Sequence, residues 1–150
     1  RCNRRQQDSR DQLLDPKSGV YEYPNIERKI LAMMDEFELR EKTIISSFNH
    51  FTVTRFKELA PDVKVGFLEE SWLIHPGAYT RARGAECFHP FFNMLNHENM
   101  QDLRNNGIEI NAWTINDEED MRKALKLQLE IGITNWPDKF LAIRKEEYGE

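Results

Sequence analysis

The 150 residues suit a single domain with one core, or part of a larger domain. With 21 basic and 26 acidic side chains the formal net charge is −5, which argues against nucleic acid or an anionic membrane as the main partner. No apolar run approaches the roughly 18 residues that a membrane-spanning segment needs, and the 2 cysteines lie too far apart in the sequence to predict a disulfide framework.

The first residues carry almost no apolar side chains and cannot supply a core-facing stripe, so we interpret residues 1–12 as a tail or linker. The folded domain is then expected at residues 13–150. From Ile26 to Phe37, apolar residues recur at intervals of three and four, which is the spacing of a helix with one apolar face. Asn25 stands in the position of its N-cap.

A unit of one strand followed by one helix then repeats along the chain. Short β-branched or apolar runs predict strands at 43–47, 63–68, 85–88, 108–115 and 131–134. Segments of helical periodicity predict helices at about 52–59, 76–83, 96–104 and 117–127, and from Pro137 onward. Asn96 and Asp117 are the expected N-caps of two of these helices, with Asp120 as the capping-box partner of Asp117.

Strict alternation of strands and helices predicts an α/β fold with parallel strands and right-handed crossovers. The repeat of roughly 20 to 23 residues fits an open doubly wound sheet as well as a closed barrel. The sequence contains no GxGxxG or GxxxxGK[ST] loop, which disfavours the nucleotide-binding version of the open sheet.

In parallel α/β folds the ligand lies at the carboxyl ends of the strands. Aromatic, amide and hydroxyl side chains follow the predicted strands, a combination that suits a small polar substrate. These residues are Ser47, Phe48, Asn49, His50, Glu69, Glu70, Trp72, His89, Trp113, Thr114, Asn116, Thr134, Asn135 and Trp136. The sequence shows no Ser/His/Asp spacing, HExxH motif or calcium loop, and His89 is the histidine best placed for a ligand or acid/base role.

Three strand-end motifs, in this order and at these separations, resemble those of glycerophosphodiester phosphodiesterases. They are IISSFNH at 44–50, INAWTINDEEDMRKAL at 110–125 with its Trp-Thr-x-Asn core, and GITNWPD at 132–138. The stretch at 89–107 is similar to the family's segment before the Trp-Thr-x-Asn strand, and the whole resemblance covers roughly residues 20–144.

The resemblance implies the second part of a TIM-type (β/α)8 barrel whose first strands are missing. It implies metal-dependent hydrolysis of glycerophosphodiesters to an alcohol and glycerol 3-phosphate, with Ca²⁺ or Mg²⁺ as the cofactor. The family's catalytic histidines belong to a His-Arg-Gly region that this sequence does not contain, so we expect the chain to be a fragment that is inactive alone.

The resemblance also assigns roles to individual residues. Asp15 corresponds to a metal carboxylate and Lys17 to the cation that binds the phosphate, although the family has Glu-x-Lys where this chain has Asp-Pro-Lys. Trp113 corresponds to an aromatic wall beside the glycerol or the leaving alcohol. Phe48 and His89 are further expected substrate contacts.

A non-catalytic half-barrel is the alternative interpretation. Five or six βα units leave an open strand edge, through which the chain would pair with itself or with a complementing barrel half. Such a half-barrel would bind a small polar ligand or a partner chain instead of hydrolysing a glycerophosphodiester. The sequence does not fix the compartment, and it favours the cytoplasm only slightly.

Overall fold

The computed structural model describes residues 12–16 and 23–149. Its parallel strands form one sheet in which each strand pairs with the strand that precedes it in the chain. The strands are β1 (Gln12–Leu14), β2 (Thr43–Ser47), β3 (Lys64–Glu69), β4 (Cys87–Pro90), β5 (Glu109–Ala112) and β6 (Ile131–Gly132).

Helices connect successive strands and pack against one face of this sheet. They are α1 (Ile26–Glu36), α2 (His50–Leu59), α3 (Pro76–Ala82), α4 (His97–Asn105), α5 (Glu118–Leu127) and α6 (Pro137–Tyr148). Short 3-10 turns at Arg40–Lys42 and Phe92–Met94 precede β2 and α4. The sheet curls into a half-barrel of βα units, which confirms the predicted α/β class and parallel arrangement.

The apolar core lies between the helices and the outer face of the sheet. Alternate strand residues such as Ile45, Phe67 and Ile110 point outward and pack with helix residues such as Phe56 and Leu103. Because side chains alternate across a strand, their neighbours point to the inner, concave face. Each strand is therefore held from the outside by its own helix.

The concave face of the sheet is polar in part. Lys64 on β3 forms an ion pair of 2.6 Å with Glu109 on β5, and the Cys87 thiol on β4 lies 3.8 Å from the same carboxylate. Burial raises the pKa of the Cys87 thiol well above its usual range, with the charges of Glu109 and Glu86 adding to this effect. The thiol is therefore a packing group rather than a nucleophile.

Helices α3 and α4 approach each other closely at Gly77. The backbone N–H of Gly77 donates a hydrogen bond of 2.6 Å to the Asp102 carboxylate on α4. A Cβ atom at Gly77 would lie 2.8 Å from the Cα of Leu103 and closer still to the Asp102 carbonyl. Only glycine permits this helix contact.

The structure corrects the predictions at the helix N-caps and at the ends of some helices and strands. Asn25 and Asp117 are the N-cap residues of α1 and α5 as predicted, but neither side chain makes a cap hydrogen bond, and Asn25 adopts a left-handed conformation. Asn96 does form a capping box, with Asn99 as its partner. Gln12, which we assigned to the tail, is the first residue of β1.

Strand and helix ends also shift by a few residues. Helix α2 begins at His50 rather than at residue 52, and β4 runs to Pro90. The predicted strand at 108–115 is shorter in the structure, because the ladder ends at Ala112. None of the described helices is long and apolar enough to cross a membrane.

Candidate active site

An aromatic cluster occupies the carboxyl end of the sheet. Trp113 follows β5, and its indole N–H donates a hydrogen bond of 2.7 Å to the backbone carbonyl of His89 on β4. The Phe48 ring meets the Trp113 ring edge-on at 5.6 Å, and the Phe91 ring lies 5.5 Å from it on a tilted plane. These three rings form a partly exposed apolar wall, which we call the aromatic wall.

The curl of the sheet brings this wall together. Phe48 follows β2 and Trp113 follows β5, so two strands lie between them. In a flat sheet three strand spacings would separate the backbones of β2 and β5 by about 14 Å. Their actual separation of 5.6 Å shows that the carboxyl ends converge on a common mouth.

Sequence reasoning identified Trp113 and Phe48 but missed Phe91. Phe91 directly follows β4, where its backbone pairs with Trp113 in an isolated bridge. The predicted strand ended at residue 88, two residues before the observed end of β4, so Phe91 was not recognised as a strand-end residue.

Asp15 lies directly after β1, at the same end of the sheet as the aromatic wall. The next residue, Pro16, is buried, and its carbonyl accepts a hydrogen bond of 3.1 Å from the Ser47 hydroxyl at the end of β2. That hydroxyl also accepts a bond of 3.1 Å from the backbone N–H of Asn49. The connection after β1 is thus tied to the connection after β2, and Asp15 is half-buried beside it.

A metal site would need more ligands than these. Among residues 12–16 and 23–149, no three His, Cys, Asp or Glu side chains lie close enough to hold a metal ion together. Asp15 fits the oxygen chemistry that Ca²⁺ and Mg²⁺ prefer, but it supplies only one carboxylate. Lys17 lies outside the described residues.

His89 lies one layer below the mouth, with its ring on the concave face and fully buried. The Asn111 amide donates a hydrogen bond of 3.1 Å to its Nε2, which requires a neutral ring. Burial first, and the charge of Lys64 second, lower the pKa of His89 to about 3. Its backbone carbonyl supports the aromatic wall, whereas contact of its ring with substrate stays a prediction.

We expect the buried His89 to make the fold acid-sensitive. Its folded pKa of about 3 lies below the ordinary value of 6.5, so only the unfolded chain gains a proton as the pH falls through 6.5. Stability should therefore fall by about 2 kcal/mol between pH 7 and pH 5 from this residue. Urea unfolding at the two pH values measures this loss, which His89→Gln should remove.

His75→Gln is the matched control, because the His75 side chain is 70% exposed. It should retain the acid sensitivity of the unsubstituted protein. An equal pH dependence in His89→Gln and the unsubstituted protein would contradict the assignment.

Two further connections at the mouth are held by their own side chains. The Glu69 carboxylate accepts hydrogen bonds from the backbone N–H groups of Glu70 and Ser71, both at 3.0 Å, so it organises its own loop. Asn116 accepts from the backbone N–H of Asn135 at 2.9 Å and from the Thr134 hydroxyl at 3.3 Å. These hydrogen bonds hold Thr134 and Asn135 in the last strand-to-helix turn.

Known proteins resemble this chain in sequence and in fold. A glycerophosphodiester phosphodiesterase of Caldanaerobacter subterraneus is 32% identical over 128 residues, which are 85% of this chain and 53% of that protein. A glycerophosphodiester phosphodiesterase of Bacillus altitudinis is 26% identical over 135 residues, or 55% of its length. The chain therefore spans about half the length of these curated relatives.

The solved structures agree in fold. A phosphodiesterase of Oleispira antarctica, in complex with the product sn-glycerol-3-phosphate, superposes with a TM-score of 0.74 at 20% identity, over 93% of this chain and 57% of that one. A glycerophosphodiester phosphodiesterase of Parabacteroides distasonis gives a TM-score of 0.77 at 19% identity, over 90% and 56% of the two chains. Residues 4–139, nearly the whole chain, match the glycerophosphoryl diester phosphodiesterase family, and the chain belongs to that family.

Proposed function

We propose that the protein containing this chain hydrolyses glycerophosphodiesters to an alcohol and glycerol 3-phosphate. Water supplies the hydroxyl that joins phosphorus and the proton that leaves with the alcohol, while the ester bond between phosphorus and the alcohol oxygen breaks. The observation that carries the proposal is the aromatic wall of Phe48, Phe91 and Trp113 at the mouth of a half-barrel of this family. The product complex of the Oleispira antarctica phosphodiesterase supports the substrate class.

The chain's own residues would bind and orient the substrate. Trp113 presents an apolar surface to the carbon skeleton of the glycerol or the alcohol, and its hydrogen bond to the His89 carbonyl fixes the indole plane. Phe48 and Phe91 both pack against the indole and would exclude water there. Because the side chains of the aromatic wall are fixed before substrate binds, they need not be reordered during the reaction.

A divalent ion, Ca²⁺ or Mg²⁺, would stabilise negative charge on the phosphoryl oxygens when bound. Asp15 would be one of its ligands, and Lys17 would bind the phosphate. The remaining ligands and the acid/base histidines would come from the family's first strands, as the resemblance implies. This chain therefore supplies the wall and one metal ligand of a site shared with those strands.

An assay with glycerophosphocholine tests the proposal. The protein as encoded should release choline and glycerol 3-phosphate, lose activity with a chelator and regain it with Ca²⁺ or Mg²⁺. The 150-residue chain alone should stay at background, because the proton-transferring histidines are not in it. Chelator-sensitive turnover by the 150-residue chain alone would contradict that division of roles.

Asp15 variants sharpen the same assay. Asp15→Asn should raise the metal concentration for half-maximal activity about tenfold or more, while Asp15→Glu, which restores the family's residue type, should not. If the metal requirement of Asp15→Asn were unchanged, Asp15 would not be a metal ligand.

The alternative is a non-catalytic half-barrel that pairs through its open edges. The observation in its favour is the exposure of Leu13 and Leu14 on the edge strand β1. It predicts no turnover from the protein as encoded with any divalent ion, so the same assay separates the two functions.

A further inference from the structure

The ring of His50 lies at the carboxyl end of the sheet, shortly after Phe48 of the aromatic wall in the sequence. His50 is the first residue of α2 and is half-buried. Its Nε2 lies 3.1 Å from the backbone carbonyl oxygen of Leu68 on β3, and its Nδ1 lies 2.9 Å from the hydroxyl of Tyr79 on α3. Each ring nitrogen therefore has a hydrogen-bond partner on a different element of the fold.

These two partners fix the tautomer of the neutral ring. A carbonyl oxygen can only accept a hydrogen bond, so Nε2 carries the proton and donates it to Leu68. Nδ1 is then an acceptor, and the Tyr79 hydroxyl donates to it. The buried Phe67 ring packs against the imidazole at 4.4 Å between centroids and against the Tyr79 ring at 5.3 Å, which restricts the rotation of both rings.

The hydrogen bond to Leu68 takes the place of a backbone bond at the end of β2. The carbonyl of Glu69 accepts an N–H from the residue after β4, at 2.8 Å. Successive carbonyls of a strand point to opposite neighbouring strands, so the Leu68 carbonyl points toward β2. There the N–H of Asn49 donates to the Ser47 hydroxyl and does not continue the ladder. The ring N–H of His50 supplies the missing donor.

Phe48 lies between two residues that are held by side-chain hydrogen bonds. Before it, the Ser47 hydroxyl donates to the Pro16 carbonyl at 3.1 Å. After it, the His50 ring binds β3 and α3. Because the segment between these two residues is short, the place of the Phe48 ring, 5.6 Å from the Trp113 ring, depends on both of them.

We propose that His50 is a positioning residue, which holds Phe48 against Trp113 through its hydrogen bonds to Leu68 and Tyr79. Because both ring nitrogens already have partners, His50 acts on the reaction through Phe48 and not by proton transfer. The kinetic part of this inference rests on the proposed function, whereas the place of the Phe48 ring can be measured without turnover.

A double-mutant cycle tests the proposal on the protein as encoded. His50→Asn has too short a side chain to reach the Leu68 carbonyl, and it should lower kcat/KM for glycerophosphocholine about fivefold, mainly through KM. His50→Gln places an amide N–H near the position of Nε2 and should recover most of this loss. In a Phe48→Ala background, His50→Asn should change kcat/KM little, because the ring through which it acts is gone.

NMR spectroscopy gives a second measurement that needs no hydrolysis. The nuclear Overhauser effect between the Phe48 and Trp113 rings should be present in the unsubstituted protein and in His50→Gln, and it should weaken in His50→Asn. Tyr79→Phe removes only the hydroxyl that donates to Nδ1. The second tautomer of His50 should then appear in the nitrogen spectrum of its ring.

His97→Asn is the matched control, because His97 also begins a helix, α4, but is exposed. It should change neither kcat/KM nor the contact between the rings. An equal loss of kcat/KM from His50→Asn with and without the Phe48 ring, or an unchanged ring contact in His50→Asn, would overturn the proposal. If the unsubstituted protein has no activity while the ring contact responds as expected, the proposed function fails and the positioning role of His50 stands.

Discussion

Replacing Trp113 with alanine should lower kcat/KM for glycerophosphodiesters about 100-fold in the protein as encoded, which corresponds to roughly 2.7 kcal/mol of transition-state stabilisation. The substitution removes the centre of the aromatic wall and the indole hydrogen bond to the His89 carbonyl. Phe48 and Phe91 then lose the ring that fixes them. Steady-state kinetics together with urea unfolding measure both consequences.

Two variants serve as controls for this experiment. Trp113→Phe keeps an aromatic surface and should recover part of the lost kcat/KM. Trp136→Ala removes a tryptophan at the same end of the sheet that is 57% exposed, and it should change kcat/KM little. Unchanged kinetics with a large loss of stability in Trp113→Ala would make Trp113 a core residue instead.

Gly77→Ala should lower the free energy of unfolding by about 3 kcal/mol, the upper part of the range for overpacking. The added methyl group would meet the backbone of α4, which cannot move aside as a flexible side chain would. Separating the two helices would also lengthen the hydrogen bond from the Gly77 N–H to Asp102. Chemical unfolding of the purified protein measures the effect.

Gly107→Ala provides the comparison, because a Cβ at that position meets nothing within 4 Å. Its φ of +70° makes alanine unfavourable by about 1 to 2 kcal/mol through backbone strain alone. Gly77→Ala should therefore cost more than Gly107→Ala. An equal or smaller cost would mean that α3 and α4 do not touch at Gly77.

From α1 onward the order of strands and helices was predictable, because each of these strands is a short apolar or β-branched run that ends before a helical period begins. The three-residue strand β1 was not predicted. The end of β5 was not predictable from the sequence. The apolar pattern continues past Ala112, whereas the backbone leaves the regular hydrogen-bonded ladder there. There Trp113 binds the His89 carbonyl, and the Ile115 N–H donates to Ile133 at 2.8 Å. Tertiary contacts, rather than local pattern, set that boundary.

The candidate site was predictable only in part for a similar reason. The ends of the predicted strands identify Trp113 and Phe48 as residues at the mouth of the half-barrel. The contact between their rings, however, depends on the curl of the sheet across the two strands between them. The burial of His89 depends on Gly66, since a Cβ there would lie 2.7 Å from the His89 ring carbon Cδ2. The spacing of residues along the chain does not indicate a contact such as that between Gly66 and the His89 ring.

The sequential strand order has a consequence for biosynthesis. Each strand from β2 to β6 pairs with the strand made just before it, so no pairing within this sheet waits for a distant part of the chain. Contacts between near neighbours in sequence shorten the search for the native fold. The chain can thus assemble unit by unit as it leaves the ribosome, each new strand using the previous one as its template.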